Sequence, residues 1–205
     1  MDDTGIIILA AGSSSRLGKP KQLLSFQHKL LIEHVTDEAI KAKLHPLIVV
    51  TGAFADQVAS TLDHEAVTIA YNKDWQEGMG SGIAAGVFQA LLINKTLQNL
   101  IISVCDQPFV SADLFLQLIK MKNETGKKIL ACAYNKVTGT PVLFDRAYFP
   151  HLQELTGTEG ARGLVKKHGN DVAVVAFPLG SIDIDTEADY QSLLSKEIDG
   201  VNKKQ

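Results

Sequence analysis

Short, nearly unbroken apolar runs recur along the chain at 6–11, 47–51, 67–70, 100–105, 129–133 and 172–177, most of them rich in β-branched residues. Runs of that length without polar alternation predict strands covered on both faces, as a parallel sheet requires. Between them lie amphipathic stretches that predict helices over 31–43, 55–62, 82–92, 112–125, 148–155, 159–168 and 187–196. Strand–helix–strand alternation with right-handed crossovers gives an α/β fold of three layers, α/β/α, around a mainly parallel sheet. No repeat, low-complexity tract or Pro/Gly/Ser linker interrupts the pattern, so 1–205 is expected to form one domain with a frayed polar end at 200–205. In such sheets ligands bind beyond the carboxyl ends of the strands, which directs attention to the loops that follow them.

Composition changes this picture little. The 205 residues are 45% hydrophobic and 21% charged, ordinary for a globular chain, and the formal net charge of -3 gives no reason to expect nucleic acid or an anionic membrane as partner. No apolar run approaches the roughly 18 residues of a membrane span, and the first follows two aspartates instead of a basic segment. Cys105 and Cys132 form no metal-spaced cluster, which suits a reducing cytoplasm, and the six histidines lack zinc spacing. Cys105 reads as a buried small hydrophobe, and His151 and His168 as surface residues.

The loop after the first strand, Gly12-Ser13-Ser14-Ser15-Arg16-Leu17-Gly18-Lys19-Pro20-Lys21, combines small residues with three cations. Glycines let backbone N–H groups approach an anion, a guanidinium forks onto phosphate oxygens, and lysines act as point charges. It is not a Walker A loop, because Pro20 follows Lys19 where Ser or Thr is required. Ser14 takes the place of the second glycine of a dinucleotide fingerprint, which leaves a nicotinamide oxidoreductase without its motif.

Asp106 directly follows the apolar run 100–105 and should project from a strand's carboxyl end, where a magnesium ion bridging phosphate oxygens would need it. Its alternative role, capping the next helix, falls more naturally to Ser111. A second acidic group is Asp183-Ile184-Asp185-Thr186-Glu187-Ala188-Asp189. Thr186 with Asp189 reads as a capping box, while Asp183 and Asp185 alternate along an extended segment, and either could complete a metal site.

Leu9-Ala10-Ala11-Gly12-Ser13-Ser14-Ser15-Arg16-Leu17-Gly18 followed by Lys21, then Asp106-Gln107-Pro108 and the terminal Asp-x-Asp-Thr-x-x-Asp, resemble the motifs of the nucleotidyltransferases with a GT-A-like, Rossmann-like fold. Within that superfamily the chain is similar to the molybdenum-cofactor (MobA-like) transferases, and its Leu-Ala-Ala-Gly resembles the cytidylyl branch. The resemblance implies that Arg16 and Lys21 hold a triphosphate, that Leu9, Ala10, Ala11 and Gly12 face the base and ribose, and that Asp106 with Asp183 binds Mg²⁺. Asn72-Lys73-Asp74-Trp75-Gln76-Glu77-Gly78-Met79-Gly80-Ser81-Gly82 resembles the stretch that lies against the base, implying contacts from Gly78, Met79 and Ser81, with Gly82 where a serine is common. From the residues themselves, Trp75 and Met79 read as packing groups. Gly139-Thr140-Pro141 and Gly157-Thr158-Glu159-Gly160-Ala161-Arg162 resemble acceptor motifs, departing at Thr140 and Thr158. Thr140 and Pro141 would then lie near the acceptor; Arg162 would bind its phosphate or be a surface helix arginine.

By this resemblance the chain is expected to transfer CMP from CTP to molybdopterin with release of pyrophosphate. The product would mature a molybdenum hydroxylase such as xanthine dehydrogenase, an enzyme of purine catabolism, on which the chain would transiently dock. The alternatives are GTP or another phosphorylated acceptor, a sugar or polyol phosphate, and, in a different class, a maturation chaperone that carries cofactor without catalysis.

Overall fold

The computed structural model describes residues 3–63, 65–158 and 160–202. The chain runs β1 (Thr4–Ala10), a hairpin of β2 (Ser25–Phe26) and β3 (Lys29–Leu30), α1 (Leu31–Lys41), β4 (Leu47–Thr51), α2 (Ala55–Ala59), β5 (Thr68–Tyr71) and α3 (Met79–Ile93). It continues with β6 (Asn99–Val104), α4 (Ala112–Thr125), β7 (Ile129–Tyr134), β8 (Val137–Asp145), α5 (Phe149–Gln153), α6 (Ala161–Lys167), β9 (Val172–Ala176) and α7 (Glu187–Asn202). Seven strands form one sheet in the order β5-β4-β1-β6-β8-β7-β9. All neighbours are parallel except β8, which runs antiparallel to both β6 and β7.

Alternate residues of β1 feed opposite cores: Ile6 and Ile8 pack with α1, α2 and α4, and Ile7 with α3, α5 and α6. That double coverage explains the unbroken apolar runs. A smaller third core joins Leu17, Leu24, Phe26 and Leu31 to Ile184 and Leu193, and so ties the loop after β1 to the C-terminal segment.

β8 was not among the expected strands, because Thr138-Gly139-Thr140-Pro141 carries a proline and no apolar period. The register against β7 jumps from Ala131↔Val142 to Cys132↔Gly139, leaving Thr140 and Pro141 in a bulge. A bulge frees a strand residue from donating to the ladder, which is where proline is tolerated. Other boundaries shift. α3 starts at Met79, three residues before the expected position, α2 stops at Ala59, and a 3-10 turn at Arg146–Tyr148 precedes α5. The expected start of α6 at Glu159 and the end of the tail at 203–205 lie outside the described residues. α7 runs to Asn202, so 200–202 is helical. His168 is half-buried, its ring 5.1 Å edge-on from that of Tyr148, and is not the surface residue expected.

Gly86 marks how closely α3 lies on β1: a Cβ there would meet Ile7 Cγ2 at 2.6 Å. Forcing a side chain into a packed contact typically costs about 1–3 kcal/mol. Gly86→Val should lower the unfolding free energy by an amount in that range, seen as a lower urea midpoint with an unchanged slope, whereas an unchanged midpoint would mean that the two elements are not so closely seated.

Candidate active site

The loop after β1 is shaped from below. Gln22 is fully buried in a 3-10 turn at Lys21–Leu23, and its Nε2 donates to Ala10 O at 2.8 Å and Gly12 O at 2.9 Å. Leu9 O accepts from Cys105 N at 3.3 Å and Ala11 O from Ala53 N at 3.1 Å. All four carbonyls of Leu9–Gly12 are thus taken by the protein. Because a trans peptide points N–H and C=O in opposite directions, the amides of Ala11 and Ser13 point away from Gln22. Gly12 has open space where a Cβ would stand, and Gly18 turns the chain at φ +73. Lys21 N donates to Ser14 Oγ at 3.1 Å and closes the loop.

The cations meet the carboxylates. Lys21 Nζ pairs closely with Asp106 Oδ2 and lies 3.2 Å from Asp185 Oδ1, while Arg16 Nη2 lies 2.7 Å from Asp185 Oδ2. Lys19 instead pairs with Glu187 at 2.8 Å, over the Tyr190 ring. Burial pulls the Lys21 ammonium down, but the charge and hydrogen bond of Asp106, then Cys105 and Asp185, outweigh it and hold the group well above the usual lysine range. Burial raises the Asp183 carboxyl; its own backbone amide opposes this, and the charges of Asp106 and Asp185 add to the rise. Asp183 has no ion-pair partner among the described residues. Asp189 is helix support, since its Oδ2 accepts from Thr186 N at 2.8 Å and Thr186 Oγ1 at 2.7 Å.

Among the described residues no group of three or more His, Cys, Asp or Glu is gathered tightly enough to hold a metal alone. Magnesium does not need one, because it takes one or two carboxylates and completes its shell with water and substrate phosphate. Asp183, beside Asp106 and Asp185 and without an ion-pair partner among the described residues, offers hard oxygen donors, and Asp106 with Asp183 or Asp185 fits a hard divalent cation.

The segment before α3 is organised by Ser81, whose Oγ accepts from Asn72 Nδ2 at 2.9 Å and faces Asp74 O and Gly78 O, each at 2.9 Å. The Ser81 hydroxyl therefore serves the loop. Trp75 packs on Gly52, where a Cβ would meet Trp75 Cβ at 2.6 Å and Ala11 O at 2.7 Å. Gly78, at φ +121, would strike Gly157 O at 2.5 Å with any side chain, and Gly80 N donates to Gly157 O at 2.9 Å. The loop expected at the base and the loop expected at the acceptor are therefore one welded unit, to which Met79 adds its sulfur against Gly160. Thr140 and Pro141 sit in the β8 bulge, and Arg162 is exposed on α6 with no ion-pair partner among the described residues.

Sequence reasoning missed Gln22 and Gln107. Gln107 is buried next to Asp106, and its Nε2 donates to Gly180 O at 2.8 Å. Nothing in a lone glutamine announces a buried clamp; the only signal is its position inside a chemistry-bearing motif.

A basic loop after the first strand that faces a carboxylate after a central strand is the architecture of a nucleotidyltransferase. Residues 6–172 match the MobA-like NTP transferase domain, and the chain belongs to that family. It is 29% identical over 170 residues to nicotine blue oxidoreductase of Paenarthrobacter nicotinovorans, covering 78% of this chain and 80% of that one. It is 35% identical over 127 residues to the bifunctional protein GlmU of Francisella tularensis subsp. novicida, 61% of this chain but only 27% of GlmU. Rv0371c from Mycobacterium tuberculosis H37Rv superposes with a TM-score of 0.79 at 26% identity, over 95% of this chain and 99% of that one. A structure of Rv0371c in complex with manganese superposes at 0.73, with 25% identity over 94% and 98% of the two chains. Among the described residues no helix is long and apolar enough to cross a membrane.

Two outcomes are expected. Gln22→Leu leaves two loop carbonyls without a donor and should destabilise the chain by about 1–3 kcal/mol per stranded group, read from urea unfolding. Burial, aided at Cys105 by the Asp106 charge, pushes the Cys105 and Cys132 thiols up to about 12. The fold therefore holds both as neutral thiols, against about 8.5 in an unfolded chain. Their contribution is complete below that value and declines as pH rises past it, because only the unfolded chain then ionises. The urea midpoint should fall between pH 8 and pH 10, and a thiol reagent at pH 8 should label neither cysteine until the chain unfolds.

Proposed function

We propose that the chain, acting as one domain over 1–205 in the cytoplasm, is a magnesium-dependent cytidylyltransferase that joins CMP from CTP to molybdopterin. The product would serve a molybdenum hydroxylase such as xanthine dehydrogenase, with transient docking for delivery. The observation that carries this reading is Lys21 held between Asp106 and Asp185 beside a loop whose carbonyls face inward. Such a site supplies amides and cations to a triphosphate and carboxylates to its metal. The small Ala11 in Leu-Ala-Ala-Gly supports CTP over GTP. The manganese of the Rv0371c complex supports a divalent cation in this family.

The acceptor phosphate is ionised near neutral pH and needs no side-chain base. One of its oxygens forms a bond to the α-phosphorus of CTP in line as the bond to the bridging oxygen breaks, and pyrophosphate leaves with that electron pair. Arg16 and Lys21 leave Asp185 and Asp106 for the triphosphate and offset charge on the leaving group. Asp106 and Asp183 hold Mg²⁺, which when bound neutralises the phosphate oxygens. The amides of Ala11 and Ser13, with Gly78 and Met79, line the nucleotide, and Arg162, Thr140 and Pro141 the acceptor.

A second reading comes from the relative named nicotine blue oxidoreductase. In that reading the same loop would hold a nicotinamide dinucleotide diphosphate, against the absence of the glycine fingerprint and the crowd of carboxylates facing it.

Pyrophosphate release from CTP and from GTP, each with Mg²⁺ and molybdenum-loaded molybdopterin, tests the proposal. CTP should turn over, and Asp106→Ala should lose at least about 100-fold in rate. Preference for GTP would keep the mechanism and overturn the role of Ala11. Inert CTP and GTP, with oxidation of NADH or NADPH coupled to reduction of an added two-electron acceptor, would select the redox reading. Full support of a molybdoenzyme by Asp106→Ala would select the chaperone.

A further inference from the structure

Asp106 and the Asp183–Asp185 segment come from distant parts of the chain, and the spacing between them sets what the site can bind. Two ties hold them. Asp106 O accepts from Ile184 N at 3.2 Å, and Gln107 Nε2 donates to Gly180 O at 2.8 Å. Gly180 belongs to a 3-10 turn, Pro178–Ser181, only three residues before Asp183. A Cβ at Gly180 would run into the Phe177 ring and stand 2.7 Å from Tyr134, two rings packed edge-to-face at 6.4 Å. Ile184 is fully buried in the third core. The acidic segment is thus gripped on both sides of Asp183, and on the amino side the only side-chain hydrogen bond to the turn from outside it, among the described residues, is that of Gln107.

We propose that Gln107 is the positioning residue of the divalent-cation site: through Gly180 it fixes where Asp183 and Asp185 stand relative to Asp106. This rests on the reading of Asp106 and Asp183 as metal ligands. A role in stability alone fits poorly. Gln107 is 3% exposed and its Oε1 is buried without a partner among the described residues, so half of the amide incurs a desolvation cost that the single donated bond does no more than offset. An apolar residue of the same volume would keep the packing and strand only the Gly180 carbonyl. What only the amide supplies is a directional link to one carbonyl. Outer groups that orient metal ligands commonly carry 10–100-fold in affinity, about what a fixed ligand spacing is worth here.

The test titrates Mn²⁺ alone into the full chain and reads free Mn²⁺ by electron paramagnetic resonance, with thermal unfolding of each variant alongside. Gln107→Met keeps volume and removes the donor; Gly180→Ala displaces the turn from the other side. Each should weaken Mn²⁺ by about 10–100-fold while unfolding stays cooperative and the melting temperature falls by no more than about 12 °C, the cost of one stranded carbonyl or one overpacked contact. Should Gln107→Met fail to fold, Gly180→Ala decides. Affinity within twofold of native in the folded variants overturns the proposal. Asp106→Ala separates the two levels. If it loses Mn²⁺ while the Gln107 and Gly180 variants keep it, only the role of Gln107 falls; if it also binds Mn²⁺ normally, the metal-site reading falls and takes that role with it.

Discussion

Three carboxylates, Asp106, Asp183 and Asp185, are brought to one end of the sheet, and their mutual repulsion has to be met by cations before the chain can close there. Lys21 does most of this, pairing with Asp106 and Asp185 from a side chain only 18% exposed, and Arg16 takes the other oxygen of Asp185. Partial burial matters, since a pair screened by water would contribute little. The elements around the site follow from it. The loop after β1 must bend far enough to bring Lys21 under β6, and the last segment must return across the sheet to deliver Asp185. The third core, joining Leu17 to Ile184 and Leu193, is the apolar seam that makes this return stable.

The layers and the parallel half of the sheet were legible because β1, β4 and β6 are covered on both faces and so carry unbroken apolar runs. β8 was not, because its bulge places Thr140 and Pro141 where a strand pattern forbids them. At the site, the sequence marked Arg16, Lys21 and Asp106 by residue type and by position after strands, and the structure brings the three within one network of ion pairs. It did not mark which partner each takes. Asp185, more than Asp183, receives the cations, because alternation along an extended segment puts both on one side and only tertiary placement chooses between them.

The two buried glutamines show a different limit. Gln22 directly follows the first-loop motif and Gln107 stands inside Asp106-Gln107-Pro108; each is nearly or fully buried, and each donates Nε2 to loop carbonyls while its Oε1 has no partner among the described residues. Residue type predicts neither fact, because an amide is equally at home on a surface. Their meaning is tertiary: one shapes the loop after β1, the other ties Asp106 to the segment that carries its acidic companions.

The same logic explains why the loops before α3 and α6 are welded together. Gly78 and Gly80 press directly on Thr156–Thr158, with Gly80 N bonded to Gly157 O, so neither loop moves without the other. A reaction that joins two bound phosphates gains most from fixing their relative position, since orientation alone can supply about 7–11 kcal/mol of a barrier. Glycine at the contact is what allows backbone to meet backbone, and a Cβ at Gly78 would drive the loops apart. A fixed spacing between the two loops, more than any single side chain, is therefore what the α3 N-terminus contributes.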